Sequence, residues 1–385
     1  MLALSWKVSC AFITLVVGLT LSACGAVPDQ SQAATVFVVT TATTNEPGPQ
    51  LPIDFNRVLK AANDTRQGTL TVLMPRGGRV DVVGDPVAVK VLRDGTNAEN
   101  NAQLIEKGLK EISSDIDSRL ATAASNEPVL DLLTGLNDAA RRAPESTIVV
   151  LSSGVQSTGL LDLAGLGWDF PNASVIDNLR SQGFLPKLDD KKVIFVGLGD
   201  TAGAAQVPLP EPMRAKVESL WLDICRASSA AECALGQAPS TAPTLSTAPA
   251  KVVPVPVFTL PSLPPRGTVA LSVPTAALFA PNSADLLPQA DRQLKDLASD
   301  LTLRAASVAL MGHTWSVGPA DSARELSQQR AQAVADALTR HGLPAQNISS
   351  VQGVGYDDLI SPPGADAAQT AEANRVVVIT ARLDR

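Results

Sequence analysis

The sequence predicts α/β and α+β architecture in two domains, an open α/β sheet and then an α/β sandwich, with a proline-rich linker between them. Three observations carry this. Apolar β-branched runs alternate with helical periodicities from residue 35 to about 235. Between 236 and 265 the composition turns to Ala, Pro, Ser and Thr. From 266 to 385 a second alternation of strands and helices runs to the end of the sequence.

Thr35-Val36-Phe37-Val38-Val39 reads as a buried first strand, followed by a short helix marked by Phe55, Val58 and Leu59. Residues 69–74 and 79–83, split by Pro75-Arg76-Gly77-Gly78, read as a hairpin, which residues 87–91 prolong or follow. Leu104, Ile105, Leu109, Ile112, Ile116 and Leu120 recur at three- and four-residue spacing and predict a helix from about 97 to 124. Asn126-Glu127-Pro128 predicts the start of another helix, running through Leu130, Leu133 and Leu136 to Arg142. Strands follow at 147–154, ending in a Ser/Gly turn, and at 192–199, with a helix near 175–182 between them. A last helix over 211–227 carries Val217, Leu220, Trp221 and Ile224 on one face.

The linker carries Val-Pro-Val-Pro and Leu-Pro-Pro, and as an extended chain reaches about 90 Å. Such a spacer suits two domains that act apart. In the second domain residues 269–273 alternate as a strand, 289–301 form a helix, 307–310 a strand and 320–341 a helix, and 376–380 close the sheet, with both helices on one face.

The first 23 residues read as a leader: a basic start through Lys7, then an apolar run from Ala11 to Leu21, shorter than the roughly 20 residues a membrane span needs. Leu21-Ser22-Ala23-Cys24-Gly25 resembles the lipobox of bacterial lipoproteins, which implies acylation at Cys24, a tether over 24–34 and a protein held to the membrane outside the cytoplasm. The competing reading is an uncleaved single-pass anchor. Cys225 and Cys233, in an exported chain, read as a disulfide stabilising by about 2–3 kcal/mol. A zinc site is the alternative, but the two histidines, His313 and His341, are distant in sequence.

Composition narrows the function. Hydrophobic residues make up 45% and charged residues 18%, which fits folded domains. The net charge of −7, near −8 without the leader, argues against a nucleic-acid partner, since phosphate binding needs concentrated Lys and Arg. With 3% aromatic residues, stacking platforms for bases or sugars are not expected.

The most specific motif is Gly312-His313-Thr314-Trp315-Ser316-Val317-Gly318, followed by Leu326-Ser327-Gln328-Gln329-Arg330-Ala331, Gly353-Val354-Gly355 and Asn374-Arg375-Val376-Val377-Val378. Taken together, in this order, these blocks resemble the OmpA-like peptidoglycan-binding domain. The resemblance implies a partner, diaminopimelate-type peptidoglycan, bound through its stem peptide by Arg330, Thr314, Trp315, Asn374 and Arg375. Arg330 would hold a ligand carboxylate by its two-pronged guanidinium; its bland alternative is a solvated helix face. Asn374 and Arg375 read first as structural, closing the last strand. The sequence departs from the family at two places: Trp315 stands at the position of the ligand-binding Asp, and Ala323 at that of an Asn. A cation–π contact from Trp315, worth about 0.5–2 kcal/mol, does not replace an ion pair.

Over residues 35–235 the order of elements resembles the von Willebrand factor type A fold. That family often carries a metal site, Asp-x-Ser-x-Ser, after the first strand. Here the positions read Thr40-Thr41-Ala42-Thr43-Thr44, with no carboxylate, so no metal is expected.

Catalysis finds no support. Gly197-Leu198-Gly199-Asp200-Thr201-Ala202-Gly203 has its third Gly misplaced for a dinucleotide loop, and Pro208 and Pro210 follow where a helix belongs. Ser153 has no nearby His and no nucleophile elbow. The expectation is therefore a lipid-anchored envelope protein, without enzyme activity or cofactor. It would link membrane to peptidoglycan while its first domain recruits an envelope protein. The alternative is a scaffold lipoprotein whose second domain binds protein instead.

Overall fold

The computed structural model describes residues 34–65, 67–304, 306–315 and 319–384. The expected leader, the Cys24 lipidation site and nearly all of the tether lie outside the described residues.

In chain order the first domain runs β1 (Thr35–Thr40), α1 (Phe55–Asn63), β2 (Thr69–Arg76), β3 (Arg79–Val82), β4 (Val87–Ala88), α2 (Ala102–Leu120), α3 (Leu132–Arg142), β5 (Ser146–Leu151), α4 (Leu163–Leu166), α5 (Asn172–Ser181), β6 (Lys192–Val196), α6 (Glu211–Ala227) and β7 (Glu232–Gly236). The sheet order is β3-β2-β1-β5-β6-β7, with β4 also against β2. The pairs β2–β1, β1–β5, β5–β6 and β6–β7 are parallel, and β3 is antiparallel at the edge. Strands buried on both faces explain the uninterrupted apolar runs. Phe37, Val39, Ile148, Val150, Val193 and Phe195 meet α3, α5 and α6 on one face. Their neighbours Val36, Val38, Leu70, Val72, Val149 and Leu151 meet α1 and α2 on the other.

Two helices start later than the sequence predicts, each for a capping reason. Asn101 accepts hydrogen bonds from the Gln103 and Leu104 amides and opens α2, while Asp94 folds residues 94–97 into a turn. Asp131 caps α3 through the Thr134 amide. The Pro128–Leu130 stretch instead bonds outward, to the Lys251 amide and to Ser157. Strand β7 was not expected. It holds Cys233, and the Cys225–Cys233 disulfide joins it to the end of α6.

The linker does not hang free. Its Pro243 carbonyl accepts from Gly48, Lys251 pairs with Asp162 at 2.5 Å, and Gln206 brackets the backbone of Val253 from both sides. Val253 enters the first domain's core, and Phe258 and Leu263 enter the second. Removing these apolar side chains from water favours the chain lying against the domains. The expectation of a roughly 90 Å spacer gives way to a strap laid along both domains.

The second domain runs β8 (Gly267–Pro274), α7 (Thr275–Leu278), α8 (Pro288–Leu303), β9 (Ser307–His313), α9 (Ala320–Arg340), β10 (Ile348–Gly355), α10 (Ala367–Ala373) and β11 (Val376–Leu383). Its sheet is β10-β9-β11-β8, with β10 parallel to β9 and β11 antiparallel to both its neighbours. Helices α8 and α9 cover one face over Val308, Leu310, Val377 and Ile379. Strand β10, with its Ser-Ser and Gln-Gly pairs, has a weak strand signature and was not expected.

Candidate functional site

The site forms where α9 meets the sheet and where the two domains touch. Gly312 and Gly353 are partners across β9 and β10. A Cβ on Gly312 would lie 2.1 Å from the Ser327 carbonyl oxygen, and one on Gly353 2.1 Å from the Gln328 nitrogen, so only glycine lets α9 come this near. The Gly353 amide donates to Gln328 Oε1 at 2.7 Å, and the Gly355 amide to Ser327 Oγ at 2.9 Å. Arg330 follows Ser327 by three residues, so it shares the inward face of the helix.

Arg330 is 1% exposed. Its Nε donates to the Ser283 carbonyl at 2.8 Å, and its guanidinium lies 5.3 Å from the Phe279 ring centre. Its two outer nitrogens grip one carboxylate: Nη1 donates to Asp169 Oδ2 at 2.8 Å and Nη2 to Oδ1 at 2.7 Å. Asp169 belongs to the first domain. It follows α4, between Trp168 and Phe170, both buried in the first domain's core, and points outward from them. Oδ2 also accepts from Thr275 Oγ1 at 2.8 Å and Oδ1 from the Asn282 amide at 3.2 Å. Burial acts to raise the carboxyl's pKa, but Arg330 and these hydrogen bonds outweigh it and hold the group below its usual 3.8.

The same segment engages the second family arginine. Arg375 Nη2 donates to the Gly165 carbonyl at 2.8 Å. Gly167, at φ +71°, lies beneath it, and a Cβ there would stand 2.6 Å from the guanidinium carbon. Burial lowers the pKa of Arg375, with Asp169 and Glu372 acting the other way. Behind the segment, Lys216 donates to the Phe170 carbonyl at 2.5 Å and to Asn172 Oδ1 at 2.7 Å, over the Phe170 ring. Burial pulls its ammonium down to about 8, against the pull of Asp169 and Asp223.

The other expected ligand residues do not converge here. Asn374 is fully buried, and both its amide donors are taken, by the Ile360 and Thr370 carbonyls, while Ile360 N–H donates back to it. Thr314 is buried, its amide donates to the Gly355 carbonyl, and its hydroxyl has no hydrogen-bond partner among the described residues. Trp315 is half-buried at the end of a described segment. His313 donates from Nδ1 to the Asp358 carbonyl at 3.1 Å, and burial lowers its pKa, which favours a neutral ring. Among the described residues no hydrogen bond ties Thr314, Trp315 or Asn374 to Arg330.

Sequence reasoning missed Asp169. In a chain with 3% aromatic residues, Trp168 and Phe170 flanking one acid mark a segment to be buried, but not its partner. It also missed an acid in the first domain. The loop after β1 lacks a carboxylate within Thr40–Thr44, but Glu46 supplies one from two residues beyond. Buried, it accepts from Ser152 Oγ and the Ser153 amide on Oε1, and from the Thr43 amide and hydroxyl on Oε2. Among the described residues no group of three or more His, Cys, Asp or Glu is arranged to hold a metal ion.

The second domain is thus a four-stranded α/β sandwich whose long helix presents a buried carboxylate clamp. Residues 278–375 match the OmpA family. A relative from Escherichia coli (strain K12), named "Putative lipoprotein YfiB", is 35% identical over 115 residues, 29% of this chain and 71% of the relative. The chain belongs to the OmpA family. It is also 31% identical over 109 residues to Outer membrane protein A of Klebsiella aerogenes, covering 28% of this chain but 31% of that protein's length. The crystal structure of the peptidoglycan-associated lipoprotein from Burkholderia pseudomallei aligns at 22% identity and TM-score 0.24, over 30% of this chain and 91% of that one.

Proposed function

We propose that this is a lipid-anchored cell-envelope protein, acylated at Cys24, whose OmpA-family domain holds diaminopimelate-type peptidoglycan without a covalent bond. Its first domain recruits a protein partner, and the chain acts by binding, not by catalysis. One observation carries the reading: Arg330, on the long helix of that domain, presents both prongs of its guanidinium to a carboxylate at 2.7 and 2.8 Å. A site that grips a side-chain carboxylate this way has the chemistry to grip the carboxylate of a stem peptide. Similarity to a protein bearing the name lipoprotein supports the anchor. The sheet order with an antiparallel hairpin at one edge supports the type A-like reading of the first domain, a fold suited to protein recognition.

The test is retention of the full chain on purified diaminopimelate-type peptidoglycan beside Arg330→Ala. A loss of about tenfold or more in the variant is expected, because a truncated buried charge contact costs at least that factor. Equal retention of both would assign wall binding to another surface.

A second reading has its own observations. Trp315 replaces the family's acidic residue, and Arg330 is already satisfied by Asp169. In that reading the domain is a scaffold element that binds protein, and neither wild type nor variant is retained.

A further inference from the structure

The carboxylate on Arg330 comes from the chain itself. We propose that Asp169 is a built-in occupant of the clamp, so that docking of the first domain and binding of a peptidoglycan carboxylate exclude each other. This rests on the wall-binding reading above and adds its regulation.

Four features make Asp169 a stand-in for a ligand and not an incidental neighbour. The pairing is two-pronged and buried, with side chains 1% and 8% exposed. The carboxylate's remaining contacts, from Thr275 Oγ1 and the Asn282 amide, come from the second domain, so the pocket surrounds an acid arriving from outside it. The segment that delivers it also covers Arg375 through the Gly165 carbonyl, and glycine at 167 permits that approach. Finally, the segment is anchored on its own side by Trp168, whose Nε1 donates to the Pro254 carbonyl, and by Lys216. It therefore keeps its shape when the clamp is empty, and the strap passing through Pro254 keeps the acid near its receptor. A tethered competitor acts at high effective concentration, and the outside ligand sees only the fraction of open molecules.

The mechanism is simple exchange. A ligand carboxylate takes both guanidinium prongs, and Asp169 leaves with its charge, still within the electrostatic reach of Lys216. Wall contact would thereby release the first domain for its partner.

The experiment uses the full chain as wild type, Arg330→Ala, Asp169→Ala, Asp169→Asn and Asp169→Ala/Arg330→Ala, with thermal melts to confirm folding and diaminopimelate-type peptidoglycan as the probe. Both single variants are expected to be retained about tenfold or more above wild type, and the double variant to lose that gain. If wild type and the Asp169 variants are retained equally and Arg330→Ala is not, the occupant proposal falls while wall binding stands. If none is retained, wall binding falls and the proposal with it. Should the Asp169 variants fail to fold, wild type decides. Saturation with a soluble diaminopimelate-containing stem peptide must raise the radius of gyration in small-angle scattering. Bound peptide with an unchanged radius overturns the proposal.

Discussion

Two buried carboxylates in the first domain meet opposite fates. Glu46 is satisfied inside its own domain by hydroxyls and amides, all neutral, from the loops after β1 and β5. Asp169 is satisfied by a cation on the other domain, more than a hundred residues away in sequence. Neutral donors fixed by one sheet make a permanent pin, since nothing can replace them without unfolding the domain. A charge lent across a domain boundary makes a fastener that another anion can undo. The difference lies in where the countering group is built, not in how deeply the acid is buried.

Mutations that remove the countering group should separate the two. Arg330→Ala leaves Asp169 buried without the guanidinium that grips it and is expected to cost about 3–5 kcal/mol of the docked state, seen in chemical denaturation as loss of cooperativity between the domains. Glu46→Gln turns an acceptor toward a ring of donors and forces an amide N–H₂ among them. It should cost about 1–3 kcal/mol in the first domain alone and leave docking intact. Equal loss of docking in both variants would erase the distinction.

A smaller effect sharpens it. Lys216 has its pKa reduced from 10.5 to about 8 by burial, while Asp169 pulls it upward. A folded value below the unfolded one means that the charged ammonium works against folding. Its contribution to stability therefore rises as pH climbs from about 8 towards 10.5. In Asp169→Asn the supporting charge is gone, and the nitrogen-detected titration of Lys216 should move below that of wild type. An unmoved midpoint would mean that Asp169 does not act on Lys216.

Much of this fold is legible in the sequence because burial writes itself as periodicity. The β1, β5 and β6 runs and the faces of α6 and α9 carry their own pattern. What escaped has a common cause. Strand β7 has no β-branched residue and is tied to α6 by a disulfide, while β10 is interrupted by serines and by the glycines that let α9 come close. The linker's prolines describe an extended chain but not what it lies on. At the site, Arg330 and Arg375 stood out through the family motif, whereas Asn374 proved to hold backbone and Thr314 to be buried. Asp169 was unreadable, since an acid after a short helix gains meaning only when tertiary packing brings Arg330 to it. Cross-domain pairing has no period.

The pairing itself is most directly tested by a double-mutant cycle on the full chain, with Asp169→Ala, Arg330→Ala and the double variant compared by chemical denaturation. A fastener between the domains predicts a coupling of about 1.5 kcal/mol or more, as for close charge pairs across interfaces. Additive effects, with coupling near zero, would contradict the claim that the Arg330–Asp169 pair fastens the two domains to each other.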